Sequence, residues 1–135
     1  MIPTKQTIFG DKKGNCFAAC IASMLEIPLG AVPNFCANYP AGIWWDELRK
    51  WLHRRKYEAI CFKLDGEYSF DEFDIPAGFN WIASGKSPRG DFLHSVIFGG
   101  RTMIHDPHPD GDGLDSKPSD CIFLVPFVLK GKDND

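Results

Sequence analysis

The hydrophobic period of this chain changes partway along it, and that change limits the folds open to it. From Cys16 to Leu25, "CFAACIASML", apolar residues cover most of a helical circumference, so the spacing predicts an interior helix that Pro28 ends. A second helix is expected from about Trp44 to Arg55, where Trp44, Leu48, Trp51 and Leu52 fall on one stripe. "YEAICFKL" (57–64) alternates as a strand does. The second half holds "FNWIAS" (79–84), "FLHSVIF" (92–98), "TMIHD" (102–106) and "CIFLVPF" (121–127), β-rich runs bounded by Gly and Pro. Helices followed by an antiparallel sheet make an α+β domain. Gly99-Gly100 reads as a tight hairpin turn, which pairs Phe98 with Arg101 and His94 with His105. Residues 1–13 read as an irregular entry, the proline-rich 28–43 as a loop, and Asp65–Pro76 as an acidic loop with a helical turn near Phe70 to Phe73.

The 135 residues fit one domain, expected over 1–129, with a polar tail at 130–135. A formal net charge of −3 offers no basic field for nucleic acid. The basic run Lys50 to Lys56 is interleaved with apolar residues at helical spacing and reads as a solvated helix face. No apolar run approaches 18 residues and no leader-like segment opens the chain, so no membrane contact is expected and the cytoplasm is the expected location. The cysteines are Cys16, Cys20, Cys36, Cys61 and Cys121, an odd set without a CxxC pair, read as reduced thiols.

Cys16 follows a Gly14-Asn15 turn and opens the first helix, where free N–H groups and positive potential favour a thiolate. His94 lies on the first strand of the hairpin and Asp106 ends the second. In that hairpin register, Asp106 is diagonal to His94 and reaches it if the turn shifts by one residue. Thiolate, imidazole and carboxylate, in that order, are the parts of a nucleophilic acyl-transfer site. Each residue alone has a plainer explanation: a buried small thiol, a structural histidine, a turn-starting Asp before Pro107. Their combination points to catalysis. Gln6 and Asn15 are the side-chain candidates for an oxyanion donor, beside the backbone N–H groups of the helix start. Cys20, one turn on from Cys16, reads as core or as the second thiol of a redox pair.

Two further stretches stand out. "SGKSPRG" (84–90) precedes the His94 strand and reads either as a plain surface loop or as a substrate contact through Ser84, Gly85 and Arg89, with Arg89 or Lys86 able to bind a carboxylate or phosphate. "HDPHPDGDG" (105–113) contains metal-ligand residue types but no helical His pair, so it reads as a substrate-lining loop, with no metal or other cofactor expected. Trp44 is expected in the core, with Trp45 free to line a cleft.

The stretches "GNCFAAC" and "HSVIFGGRTMIHDP" resemble the papain-like cysteine peptidases, among them the bacteriocin-leader peptidases, over roughly residues 5–110. The chain also resembles small bacterial and phage proteins of unassigned role that carry "SGKSPRG…HSV…HDPHP". The resemblance implies a papain-like fold, with Cys16 as nucleophile, His94 as general base and acid, Asp106 as orienting residue and Gln6 as oxyanion donor. Gln6 stands ten residues before Cys16, farther than that family's pattern, which keeps Asn15 and the backbone as alternatives. The implied activity is hydrolysis, deamidation or transfer at an amide or isopeptide bond of a peptide or protein. A non-catalytic binding module of the same fold, such as an inhibitor of a host protein, is the alternative.

Overall fold

Helix α1 (Cys16–Leu25) is buried continuously from Phe17 to Ser23, as its all-round apolar sequence requires. It ends one turn before Pro28, with Glu26 in the left-handed region. The computed structural model describes residues 1–64 and 70–128. After α1 come a 3-10 turn (Leu29–Ala31), the short α2 (Phe35–Asn38), and α3 (Trp44–His53). The stretch expected to be only loop therefore holds helical turns, and Phe35 inside it packs edge-on against Trp51. On α3 the stripe faces inward as expected, with Leu48, Trp51 and Leu52 buried. The basic run leaves the other side, and Arg55 stacks over the Trp51 ring at 3.9 Å.

Five strands follow: β1 (Tyr57–Lys63), β2 (Asn80–Lys86), β3 (Leu93–Gly99), β4 (Thr102–His105) and β5 (Asp120–Pro126). Every pairing is antiparallel, and the order is β1-β5-β2-β3-β4. The fold is mixed helix and antiparallel sheet, an α+β arrangement. The last strand enters the middle of the sheet, between β1 and β2. Phe17, Ile21, Leu48, Leu52, Ile82 and Ile97 form the core between the helices and one sheet face. Each such side chain contributes about 1.5–3 kcal/mol by leaving water. On the other face, Trp81, Val96 and Cys121 pack beneath Phe70, which lies in a 3-10 turn (Phe70–Glu72). Of the expected Asp65–Pro76 loop, 65–69 lie outside the described residues, as does the expected tail at 130–135. Among the described residues no single helix is long and apolar enough to cross a membrane.

The β3–β4 hairpin differs from the expected register. Gly99 pairs with Thr102 and Phe98 with Met103, so the turn is Gly100-Arg101 and not Gly99-Gly100. The ladder then shifts: Ile97 pairs with His105, leaving Ile104 as a bulge residue. That bulge resets the phase of β4 against β3. Counted one step past the last pair, Asp106 comes opposite Val96, which alternates in phase with His94. Without the bulge Asp106 would be out of phase with His94.

The first residues are not a loose entry. Ile2 N and Thr4 N donate to the backbone and hydroxyl oxygens of Ser23 on α1. Gln6 N donates to Pro107 O at 3.0 Å, and His105 Nε2 donates to Thr4 O at 2.8 Å. This strap ties α1 to the end of β4.

Candidate active site

The turn before α1 explains how Cys16 is presented. Asn15 N donates to Ile8 O and Gly14 N to Gly10 O, both at 3.1 Å, so the 8–15 loop folds back on itself. A Cβ at Gly14 would stand 2.7 Å from Gly10 O, so only glycine fits there. Asn15 Oδ1 accepts from Thr7 N and Ile8 N at 3.0 and 2.9 Å, and its Nδ2 donates to Thr7 Oγ1 at 3.0 Å. That carboxamide braces the loop and caps nothing; no side chain caps α1. The expectation that Asn15 serves as an oxyanion donor is corrected accordingly: its carboxamide holds Thr7 and Ile8, and, unlike Gln6, the residue does not line the cavity beside Cys16. The uncapped first turn leaves open backbone N–H groups where the half-buried Cys16 begins the helix.

His94 and Asp106 are both buried and share a 2.8 Å hydrogen bond, Nε2 to Oδ1. The carboxylate also accepts His108 N at Oδ1 (2.9 Å) and Gly113 N at Oδ2 (2.8 Å). Burial works against its charge, but the His94 bond and these two amides outweigh it and hold the Asp106 pKa down at about 2. An ionised carboxylate only accepts, so Nε2 carries the proton and Nδ1 is the ring nitrogen left for Cys16. For His94, burial again opposes charge. The hydrogen bond to Asp106, then the neighbouring Cys16 and the charge of Asp106, prevail and raise its pKa to about 9. His94 and Asp106 thus form a hydrogen-bonded pair, and His94 shares a cavity wall with Cys16.

Cys16 and His94 line a cavity of about 810 Å³ at the start of α1, with Gln6 in its wall. The folded-back loop closes the ten-residue gap between Gln6 and Cys16. Gln6 is buried; its Nε2 donates to Ile8 O at 3.0 Å, while Oε1 has no partner. Ser84 lines the cavity too, its hydroxyl 2.8 Å from that of Ser95. Gly85 does not line it, contrary to expectation. Paired with His94, it instead makes room for the next loop: a Cβ there would meet Leu114 Cδ1 at 3.1 Å. Arg89 lines the cavity with Nη1 buried. Trp44 and Trp45 both line it, although Trp44 also meets the core through Phe17.

The 105–113 loop divides its residues. His105 turns to the strap, Asp106 to His94, and His108 packs edge-on against the His94 and Phe9 rings. Among the described residues no three His, Cys, Asp or Glu side chains converge as metal ligands would. All five cysteines are free thiols. Cys20 is fully buried, and burial, then Cys16 and Asp106, push its thiol well up. Phe9, Phe92, Cys36 and Cys61 also line the cavity and stand in no motif. Of these, Cys61 had a usable signal, since it alternates in phase with the buried Ala59 on β1.

No protein-family model matches this chain, and it matches neither a curated protein nor a solved structure.

Proposed function

We propose that this chain is a papain-like, thiol-dependent hydrolase that opens amide or isopeptide bonds in a peptide or protein through Cys16, His94 and Asp106. The observation that carries the reading is the position of His94, hydrogen-bonded to Asp106 and sharing with Cys16 the wall of one cavity. In this reading the thiol proton resides on the ring, and the Cys16 thiolate attacks the substrate carbonyl carbon. The carbonyl electron pair moves to oxygen, which faces the Cys16 N–H and the Gln6 amide. As the tetrahedral adduct collapses, the C–N bond breaks and His94 gives its proton to the leaving amine. A thioester remains on Cys16. Water attacks it, His94 accepts the water proton and returns it to sulfur, and the acid product leaves. Asp106 fixes the ring tautomer and steadies its charged form. No cofactor enters this chemistry. Five free thiols favour a reducing compartment, and the cytoplasm is the proposed location.

Alkylation with iodoacetamide, followed by mass spectrometry, tests the reading. Cys16 should react first, and His94→Gln should slow that reaction about tenfold or more, in line with the thiolate fraction the histidine supports. Slow, unselective labelling that ignores His94→Gln would overturn it and favour the binding-module alternative.

A further inference from the structure

Two residues that line the cavity beside Cys16 each carry a buried polar atom without a partner among the described residues, and the two atoms are of opposite kind. Arg89 Nη1 is a charged donor and Gln6 Oε1 is a neutral acceptor. No carboxylate among the described residues pairs with Arg89. Its backbone is nonetheless held: Arg89 N donates to Oγ of the buried Ser87 at 3.1 Å, and Ser87 N donates to Phe92 O at 2.8 Å. A buried guanidinium nitrogen without a partner is costly, and guanidinium matches carboxylate best. The other cationic side chain on the β1 side of the cavity, Lys63, is already paired with Asp120 at 2.8 Å. Lys12 also lines the cavity but is exposed, so what sets Arg89 apart is a buried guanidinium nitrogen that has no partner among the described residues. The apolar walls, Phe17, Trp44, Trp45 and Phe92, suit a chain segment more than a hydrated ion.

We infer that Arg89 is a specificity residue that takes a substrate carboxylate, while Gln6 Oε1 accepts an N–H of the same substrate. The substrate class is then a peptide that carries an anionic carboxylate within the cavity's reach of the bond opened at Cys16. Two sources supply that chemistry, a free C-terminus and an acidic side chain. The inference rests on the reading of Cys16 as nucleophile.

Bromoacetyl-glycine and bromoacetyl-diglycine, each as free acid and as C-terminal amide, and bromoacetyl-glutamate amide test it by their rates of Cys16 alkylation. At least one anionic probe should react about tenfold faster than its neutral counterpart, as one charge-assisted contact allows. Arg89→Gln should abolish that preference, bringing the acid-to-amide rate ratio of each probe close to one. Preference for the free acids indicates a C-terminal carboxylate, and preference for the glutamate probe an acidic side chain; either supports the inference. An acid-to-amide ratio equal in the wild type and Arg89→Gln for every probe would overturn it. If Cys16 proves unreactive, the proposed chemistry fails alone. Titration of Cys16→Ala with acetyl-diglycine and its amide, followed by tryptophan fluorescence, then decides the carboxylate site. Weakening of the acid by Arg89→Gln supports it, and equal binding of acid and amide overturns it.

Discussion

His94 Nε2 and Asp106 Oδ1 meet at 2.8 Å because a single bulge residue, Ile104, brings Asp106 into phase with His94. Asp106 satisfies three donors at once: the ring, His108 N and Gly113 N. Asp106→Ala leaves all three without this acceptor and should cost about 3–5 kcal/mol in urea unfolding. Asp106→Asn keeps the shape but turns an NH2 toward one of the donors, and should cost about 1–3 kcal/mol. Equal stability of the two variants would contradict this ranking.

Stability should fall at both ends of the pH range through this pair. The His94 pKa is raised from 6.5 to about 9, so its contribution is complete below 6.5 and disappears as pH rises through about 9. The Asp106 pKa is lowered from 3.8 to about 2, so its contribution is complete above 3.8 and disappears as pH falls through about 2. A Tm–pH series should therefore show an alkaline limb near pH 9 that Asp106→Asn weakens. Cys16→Ala removes one of the groups that hold the ring charged, so NMR titration of His94 should give a pKa below that of the wild type.

How much of the fold and site is legible in the sequence depends on whether a feature is local. Helices α1 and α3 and all five strands follow from periods of a few residues, and each lies within a few positions of its expected place. Cys16, His94 and Asp106 are visible because their residue types fall at or near the ends of those elements. The hairpin register is not, because it depends on where a two-residue turn closes and on a bulge that no residue type announces. The strap across Ser23 and Pro107 rests in part on backbone groups that every sequence has, Ile2 N to Ser23 O and Gln6 N to Pro107 O, beside bonds to the Ser23 hydroxyl and from the His105 ring. The place of β5 between β1 and β2 is a long-range pairing, which alternation along one strand does not specify.

Thiol labelling should follow chemistry and not exposure. Cys36 is the exposed cysteine and also lines the cavity, yet burial of its sulfur, with Cys16 nearby, pushes its pKa up to about 12. Cys121 rises to about 11, chiefly through burial. At neutral pH these thiols hold almost no thiolate. Peptide mapping after brief iodoacetamide treatment should find Cys16 modified ahead of Cys36 by about tenfold or more. Cys36 modified first would contradict this order.

Gln6 and Asn15 are two buried carboxamides on either side of one loop, and they should respond differently to removal. Asn15 makes three hydrogen bonds to Thr7 and Ile8, all of them holding the loop that positions Cys16. Asn15→Ala should lower stability by about 2 kcal/mol, because Thr7 N and Ile8 N lose their acceptor. Gln6 makes one side-chain bond, to Ile8 O, and keeps Oε1 unpaired, so its side chain contributes less to stability. Gln6 lines the cavity beside Cys16, which Asn15 does not. Gln6→Ala should unfold within about 1 kcal/mol of the wild type. It should nonetheless reduce turnover of an amide substrate about 100-fold, the usual cost of one oxyanion donor. Urea titration and single-turnover thioester formation on the two variants separate the roles. A Gln6 variant that loses stability and turnover in proportion would make Gln6 a second brace.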